Sequence, residues 1–136
     1  MLIVDAGPLY AAAARSDNHH AVCEELLANA TGPLVVPELV VSEVAYLLGD
    51  RVSAQAEIVF GQSIADGLLS IEPVLDSEWS RITELMKQYA DLPLGMADAS
   101  LVALAERHRV SEIATLDHRH FSVVRPRHVA SFTLLP

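Results

Sequence analysis

The chain has 136 residues, 51% of them hydrophobic and 20% charged, and carries a net charge of −9. A chain of this length buries a core unaided, and this composition excludes a disordered polypeptide. The lone Cys23 excludes an internal disulfide and fits a reducing cytoplasm, while Glu38 and Glu43 break the best apolar run before it is long enough to cross a bilayer.

The sequence begins MLIVDAGPLY, a short apolar run that reads as a buried strand over residues 2–5, followed by an Ala-Gly-Pro turn. The Ala-rich stretch after it has no basic residue ahead of it and follows Asp5, so it is not read as a secretory leader. Asp17 or Asn18 caps a helix to about residue 29, and Gly32-Pro33 ends that unit. Residues 34–36 form a strand, and Pro37 opens a helix that runs through Leu48 and stops at Gly49. A helix from 51 to about 66 closes at Gly67, residues 69–71 form a strand, and Asp76 or Ser77 opens a helix to about Tyr89. Asp91-Leu92-Pro93 is a break before the last long helix, 95–109, and a strand over 112–115. Residues 122–124 and 132–134 are further strand candidates. Helices alternating with short apolar strands predict a single α/β domain over 1–136 with a mostly parallel central sheet.

Charge is unevenly spread. Residues 1–106 hold 16 acids against 4 bases, whereas residues 107–136 hold 2 acids against 5 bases. Arg107, Arg109, Arg119, Arg125 and Arg127, with His108, His118, His120 and His128, make the last segment locally basic. It reads either as a solvated surface or as a phosphate-contacting rim on an acidic body.

Four acids stand where surface acids do not belong. A 100° step per residue puts Glu43 on an arc with Leu39, Val40, Val44 and Leu47, whereas Glu38 falls off it. Asp98 shares a helical face with Leu101, Val102 and Ala105. Asp5 ends the first strand, and Asp117 lies just past the strand at 112–115 in ATLDHRHF. Taken singly, Asp5 and Asp117 read as turn or helix caps, and Asp98 as an acid at the positive end of its helix. Taken together they suit a cleft at the carboxyl ends of parallel strands, where ligands bind in open α/β sheets. Carboxylates sharing a cleft raise one another's pKa, and a divalent cation removes that penalty. All-oxygen ligands suit Mg²⁺ or Mn²⁺.

Competing chemistries lack their residues. The histidines have no cysteine partners and no H-E-x-x-H spacing for zinc, and no glycine-rich phosphate loop is present. A haloacid-dehalogenase-type phosphatase needs a second Asp two residues after the first, where this chain has Gly7. A receiver-like phospho-acceptor module needs a late lysine, and the only lysine is Lys87.

The order of Asp5 with Leu9, Glu43 within PELVVSEVAYLL, then DLPLGMADASLVALAER and ATLDHRHF resembles the PIN-domain ribonucleases, in particular the toxin subunits of VapBC toxin–antitoxin systems. The resemblance spans essentially the whole chain. It implies a PIN-like α/β/α sandwich whose acids Asp5, Glu43, Asp98 and Asp117 bind Mg²⁺, with Mn²⁺ able to substitute, supported by the hydroxyl of Thr115. Where many relatives carry a hydroxyl residue directly after the first aspartate, this chain has Ala6-Gly7. The resemblance implies a cytoplasmic endoribonuclease that cuts structured tRNA or ribosomal RNA as a homodimer and is inhibited by an antitoxin protein. Arg119, His118 and Arg109 are the candidates for RNA contact. A PIN-like binding module without catalysis is the alternative.

Overall fold

Three short apolar segments, each too short for a helix and rich in β-branched residues, build the centre of the molecule. A computed structural model describes residues 1–136. In it β1 (Leu2–Val4) pairs with β2 (Leu34–Pro37) on one side and with β4 (Glu112–Ala114) on the other. β3 (Ser70–Glu72) extends the sheet beyond β2, and β5 (Thr133–Leu135) beyond β4. All four pairings are parallel, and the order is β3-β2-β1-β4-β5. The chain therefore steps outward from β1 in one direction and returns to its other side. The reversal falls between β1 and β4, where a crevice opens at the carboxyl ends of such sheets.

Side chains alternate across the pleat and divide the core into two layers. Ile3, Val35 and Ile113 face α5 (Trp79–Gln88), α6 (Met96–His108) and α7 (His118–Phe121). Leu2, Val4, Val36 and Ala114 face α1 (Ala6–Ala13), α3 (Glu38–Arg51) and α4 (Ala54–Ala65). The remaining helix, α2 (His20–Asn29), packs on α1 and buries Cys23 completely. In α6 every residue from Ala99 to Ala105 is buried, so it is a central helix covered all round rather than an amphipathic one. Around this core the helices are pinned by ion pairs. Arg81 on α5 joins Glu106 on α6 at 2.7 Å, with both side chains nearly buried.

Several expected boundaries shift for identifiable reasons. Asp5 is followed by a helix rather than a turn, because Pro8 falls in the first helical turn, where its missing N–H is not needed. Gly49 does not stop α3, which continues to Arg51 and gives way to α4 at Ser53, whose hydroxyl accepts the Ala56 N–H at 3.1 Å. Residues 122–124 are not a strand. Phe121 and Val124 enter the same core at a helical spacing of three, and Val123 points outward, so the segment continues α7 as a turn. The strand expected at 132–134 forms one residue later.

Helix ends use left-handed residues. Gly67 ends α4 at φ +76°, as its position predicts. Arg109 ends α6 in the same region, at φ 56°. Its N–H donates to Glu106 at 3.2 Å, and that of Val110 donates to Ala105 at 3.0 Å, the paired bonds of a Schellman ending. Because an L-residue is strained there, Arg109→Gly should stabilise the fold by about 0.5–1 kcal/mol, read as a higher melting temperature.

Candidate active site

Three of the four singled-out acids act as helix caps, and this fixes where their carboxylates point. Asp5 leaves β1 and caps α1: its Oδ1 accepts the Ala6 N–H at 2.8 Å. Asp117 leaves the β4 end and caps α7, its Oδ1 accepting the His120 N–H at 3.0 Å. Asp98, in the first turn of α6, accepts the Gly95 N–H on Oδ2 at 3.3 Å. The capping and site readings of these residues are therefore one arrangement, since the N-termini of α1, α6 and α7 converge on the crevice between β1 and β4. Glu43 arrives from the middle of α3. The buried column of that helix is Val40, Val44 and Leu48, and the adjacent column carries Leu39, Glu43 and Leu47. Glu43 thus sits on the flank of the apolar face, exposed, rather than inside it.

Asp5, Glu43, Asp98 and Asp117 line a single cleft of about 460 Å³ together with Ala6, Gly7 and Leu116. A side chain at position 7 would meet Leu116 Cβ at 3.2 Å, so glycine there lets Leu116 close against the start of α1. The electrostatics are those of crowded like charges. Burial, reinforced by the charges of Asp98 and Glu43, raises Asp5 from 3.8 to about 6 against the lowering effect of its two hydrogen bonds. Desolvation, with Asp98 second, pushes Glu43 up. Asp98 is raised by desolvation and then by Asp117, against the Gly95 N–H. No three acidic, histidine or cysteine side chains enclose a common point at ion-binding distance.

Thr115 ties two of these acids together. It is fully buried; its hydroxyl donates to Asp5 Oδ2 at 2.8 Å and accepts the Asp117 N–H at 3.0 Å. Asp5 thus has no need of a hydroxyl at position 6, the place where Ala6 departs from many relatives. The residue whose place in the site sequence reasoning passed over is His120, which was read only as a member of the basic segment and as an improbable zinc ligand. Its Nδ1 meets Asp117 Oδ2, and its Nε2 lies 2.9 Å from the Leu92 carbonyl. These two acceptors, Asp117 first, raise its pKa. Its signal was a histidine three residues after an acid, one helical turn on.

The basic candidates separate. His118 and Arg119 are exposed on α7 beside Asp117. Arg109 is not brought to the cleft: it lies at the far end of α6 from Asp98, eleven residues or about 16 Å along the axis. Much of the basic segment is neutralised by the acidic body. Arg107 pairs with Glu72 and Glu78, and Arg127 with Glu84.

The PIN domain family model matches residues 2–125. The chain belongs to the PIN-domain family. As a PIN domain it is 34% identical over 135 residues to "Ribonuclease VapC26" of Mycobacterium tuberculosis, covering 99% of this chain and 100% of that protein. Its fold matches that of VapC20 of the same organism, described as a sarcin-ricin loop cleaving toxin. The TM-score is 0.81 and the identity 16%, covering 87% of this chain and 91% of that one. FitAcB from Neisseria gonorrhoeae matches with a TM-score of 0.66 and 14% identity, over 100% of this chain and 97% of that chain. The five-stranded parallel sheet with helices on both faces is thus the PIN fold, as the sequence motifs implied.

Proposed function

We propose that this PIN domain is a Mg²⁺- or Mn²⁺-dependent endoribonuclease acting on structured RNA, the toxin of a type II toxin–antitoxin pair. The observation that carries the reading is the convergence of four carboxylates, from four separate segments, at the point where strand order reverses. Whole-chain similarity to a named VapC ribonuclease supports the nuclease class.

The donor set fits the ion. All four ligands are hard oxygens whose mutual repulsion a divalent cation would relieve. Mg²⁺ keeps several of its waters and takes only one or two carboxylates directly, which suits a cleft whose acids line the walls without closing on one point. Asp5 and Asp98 would hold the ion, with Asp117 and Glu43 completing its surroundings directly or through water. When bound, the ion supplies an acidified water and neutralises charge building on the phosphate oxygens. Thr115 holds Asp5 in orientation. His118 and Arg119, exposed beside the cleft, would bind the RNA backbone, giving affinity without sequence choice. Weak non-specific attraction follows from the net charge of −9, which leaves recognition to the shape of a tRNA or ribosomal RNA loop.

An antitoxin would close a second region. An apolar groove of about 930 Å³ lies between α1, α2 and α4, lined among others by Leu9, Leu27, Val59 and Phe60, and it suits the apolar segment of such a partner. Tyr46, Ile58 and Leu68 are exposed, and cover from a second copy in a homodimer would remove them from water. No helix is long and apolar enough to cross a membrane, in keeping with action in the cytoplasm.

The deciding experiment maps RNA 5′ ends in cells after brief expression of wild type and Asp98→Asn. A sharp new end in one RNA class, absent with the variant, is expected. Equal cleavage by purified D98N overturns the assignment. Failure of the wild type to bind Mn²⁺ by calorimetry instead favours the non-catalytic binding module.

A further inference from the structure

We propose that His120 is a positioning residue that locks the Asp117 carboxylate to the loop ahead of α6 and so sets the width of the acid cleft. Asp117 is gripped by one residue on both oxygens: the His120 N–H donates to Oδ1 at 3.0 Å, and the ring Nδ1 meets Oδ2. Holding a capping aspartate requires no more than that. The ring continues past it, and its Nε2 faces the Leu92 carbonyl at 2.9 Å, 28 residues upstream in the sequence. Leu92 belongs to the loop that delivers Gly95, and the Gly95 N–H holds Asp98 Oδ2 at 3.3 Å.

A line of contacts thus runs from Asp117 through the imidazole and the 92–95 loop to Asp98, beside a second tie in which the Arg125 N–H donates to the Tyr89 hydroxyl at 2.9 Å. No strand pairing joins those two segments, because neither the 92–95 loop nor α7 contains a strand. Both ends of the line are anchored. Leu94 is buried beside Leu92, and Phe121, completely buried, follows His120. Phe121 meets Phe132 edge-on, with ring centroids 6.4 Å apart. The imidazole spans from the Asp117 carboxylate to the Leu92 carbonyl, and on this proposal its length helps set the separation of Asp98 from Asp117.

This role rests on the reading of Asp98 and Asp117 as metal-holding acids, so the test carries a readout independent of metal. Asparagine places its amide where Nδ1 stands and glutamine where Nε2 stands. His120→Asn therefore keeps only the Asp117 end of the bridge, and His120→Gln only the Leu92 end. Amide exchange in metal-free protein is followed at Leu94 and Gly95 and at residues 117–121, and Mn²⁺ affinity is measured by calorimetry.

Both variants should exchange about tenfold faster in both segments. Both should bind Mn²⁺ about tenfold more weakly, within the range for loss of a group that orients metal ligands. Turnover should fall with the KM for RNA unchanged. Faster exchange confined to residues 117–121 would overturn the bridge, as would wild-type Mn²⁺ affinity in H120N. If the wild type binds no Mn²⁺, the metal reading falls, and the exchange pattern alone decides for or against the bridge.

Discussion

With chelator present at pH 7.5, Asp5→Asn should melt above the wild type while losing its RNA cleavage. The carboxyl of Asp5 stands at about 6 in the folded chain against an ordinary 3.8, with burial as the first cause. A carboxyl raised by folding contributes stability that is fully present below its unfolded pKa and is lost as pH rises through the folded value. Between pH 4 and 7 the metal-free wild type therefore gives up stability, on the order of 3 kcal/mol from this group. Asparagine carries no charge and has no such loss. Rearranging the Thr115 hydrogen bond costs about 1 kcal/mol at either pH, which leaves a net gain of about 2 kcal/mol at pH 7.5 and a small net loss at pH 4. Thermal melts at both pH values in EDTA check the sign: a D5N protein less stable than wild type at pH 7.5 contradicts it. Added Mn²⁺ should stabilise the wild type and not the variant, because only a ligand bound to the folded state shifts the melt. The loss of cleavage should exceed the 10- to 100-fold typical of removing a supporting group.

Thr115→Val should act in the opposite direction on stability. Valine matches threonine in shape but has no hydroxyl, and the site is fully buried. Two partners are stranded by the change: Asp5 Oδ2 loses its donor, and the Asp117 N–H loses its acceptor. Leaving buried groups unsatisfied costs about 1–3 kcal/mol, measurable in urea as a lower midpoint with an unchanged slope. The Thr115 hydrogen bond also lowers the Asp5 pKa, so its removal moves that carboxyl higher still and weakens the grip on any cation. Mn²⁺ affinity should fall about 10- to 100-fold. Thr115→Ser, which keeps the hydroxyl, should recover most of the affinity. Equal affinity in T115V and wild type would mean that Asp5 needs no such support.

The sheet and the four acids could be read from sequence because each depends on a local pattern. LIVD, LVV and EIAT are apolar runs too short for helices, and an acid after such a run or on an apolar arc stands out against its neighbours. The contacts that make those acids a site were less legible. His120 is distinguished only by its reach to Leu92, 28 residues away, and no periodicity encodes that. Arg109 looked like one member of a basic rim, but α6 carries Asp98 and Arg109, eleven positions apart, to its opposite ends. The helix after Asp5 was hidden by Gly-Pro, which signals a turn in most contexts. Glu43 was placed on the right helix but one column too deep, because columns 39/43/47 and 40/44/48 lie only 100° apart.

The reversal of strand order has a consequence for synthesis. β1 is made first, yet its neighbour β4 lies about 110 residues downstream, and Asp5 meets Thr115 across that span. Non-local pairings of this kind close late in folding. A nascent chain on the ribosome can form the β1–β2 pair and the α1–α2 hairpin early, but it carries only one wall of the acid cleft until residue 117 has emerged. The four carboxylates therefore come together only once β4 has paired with β1, so the cleft is completed in one late step rather than built up wall by wall.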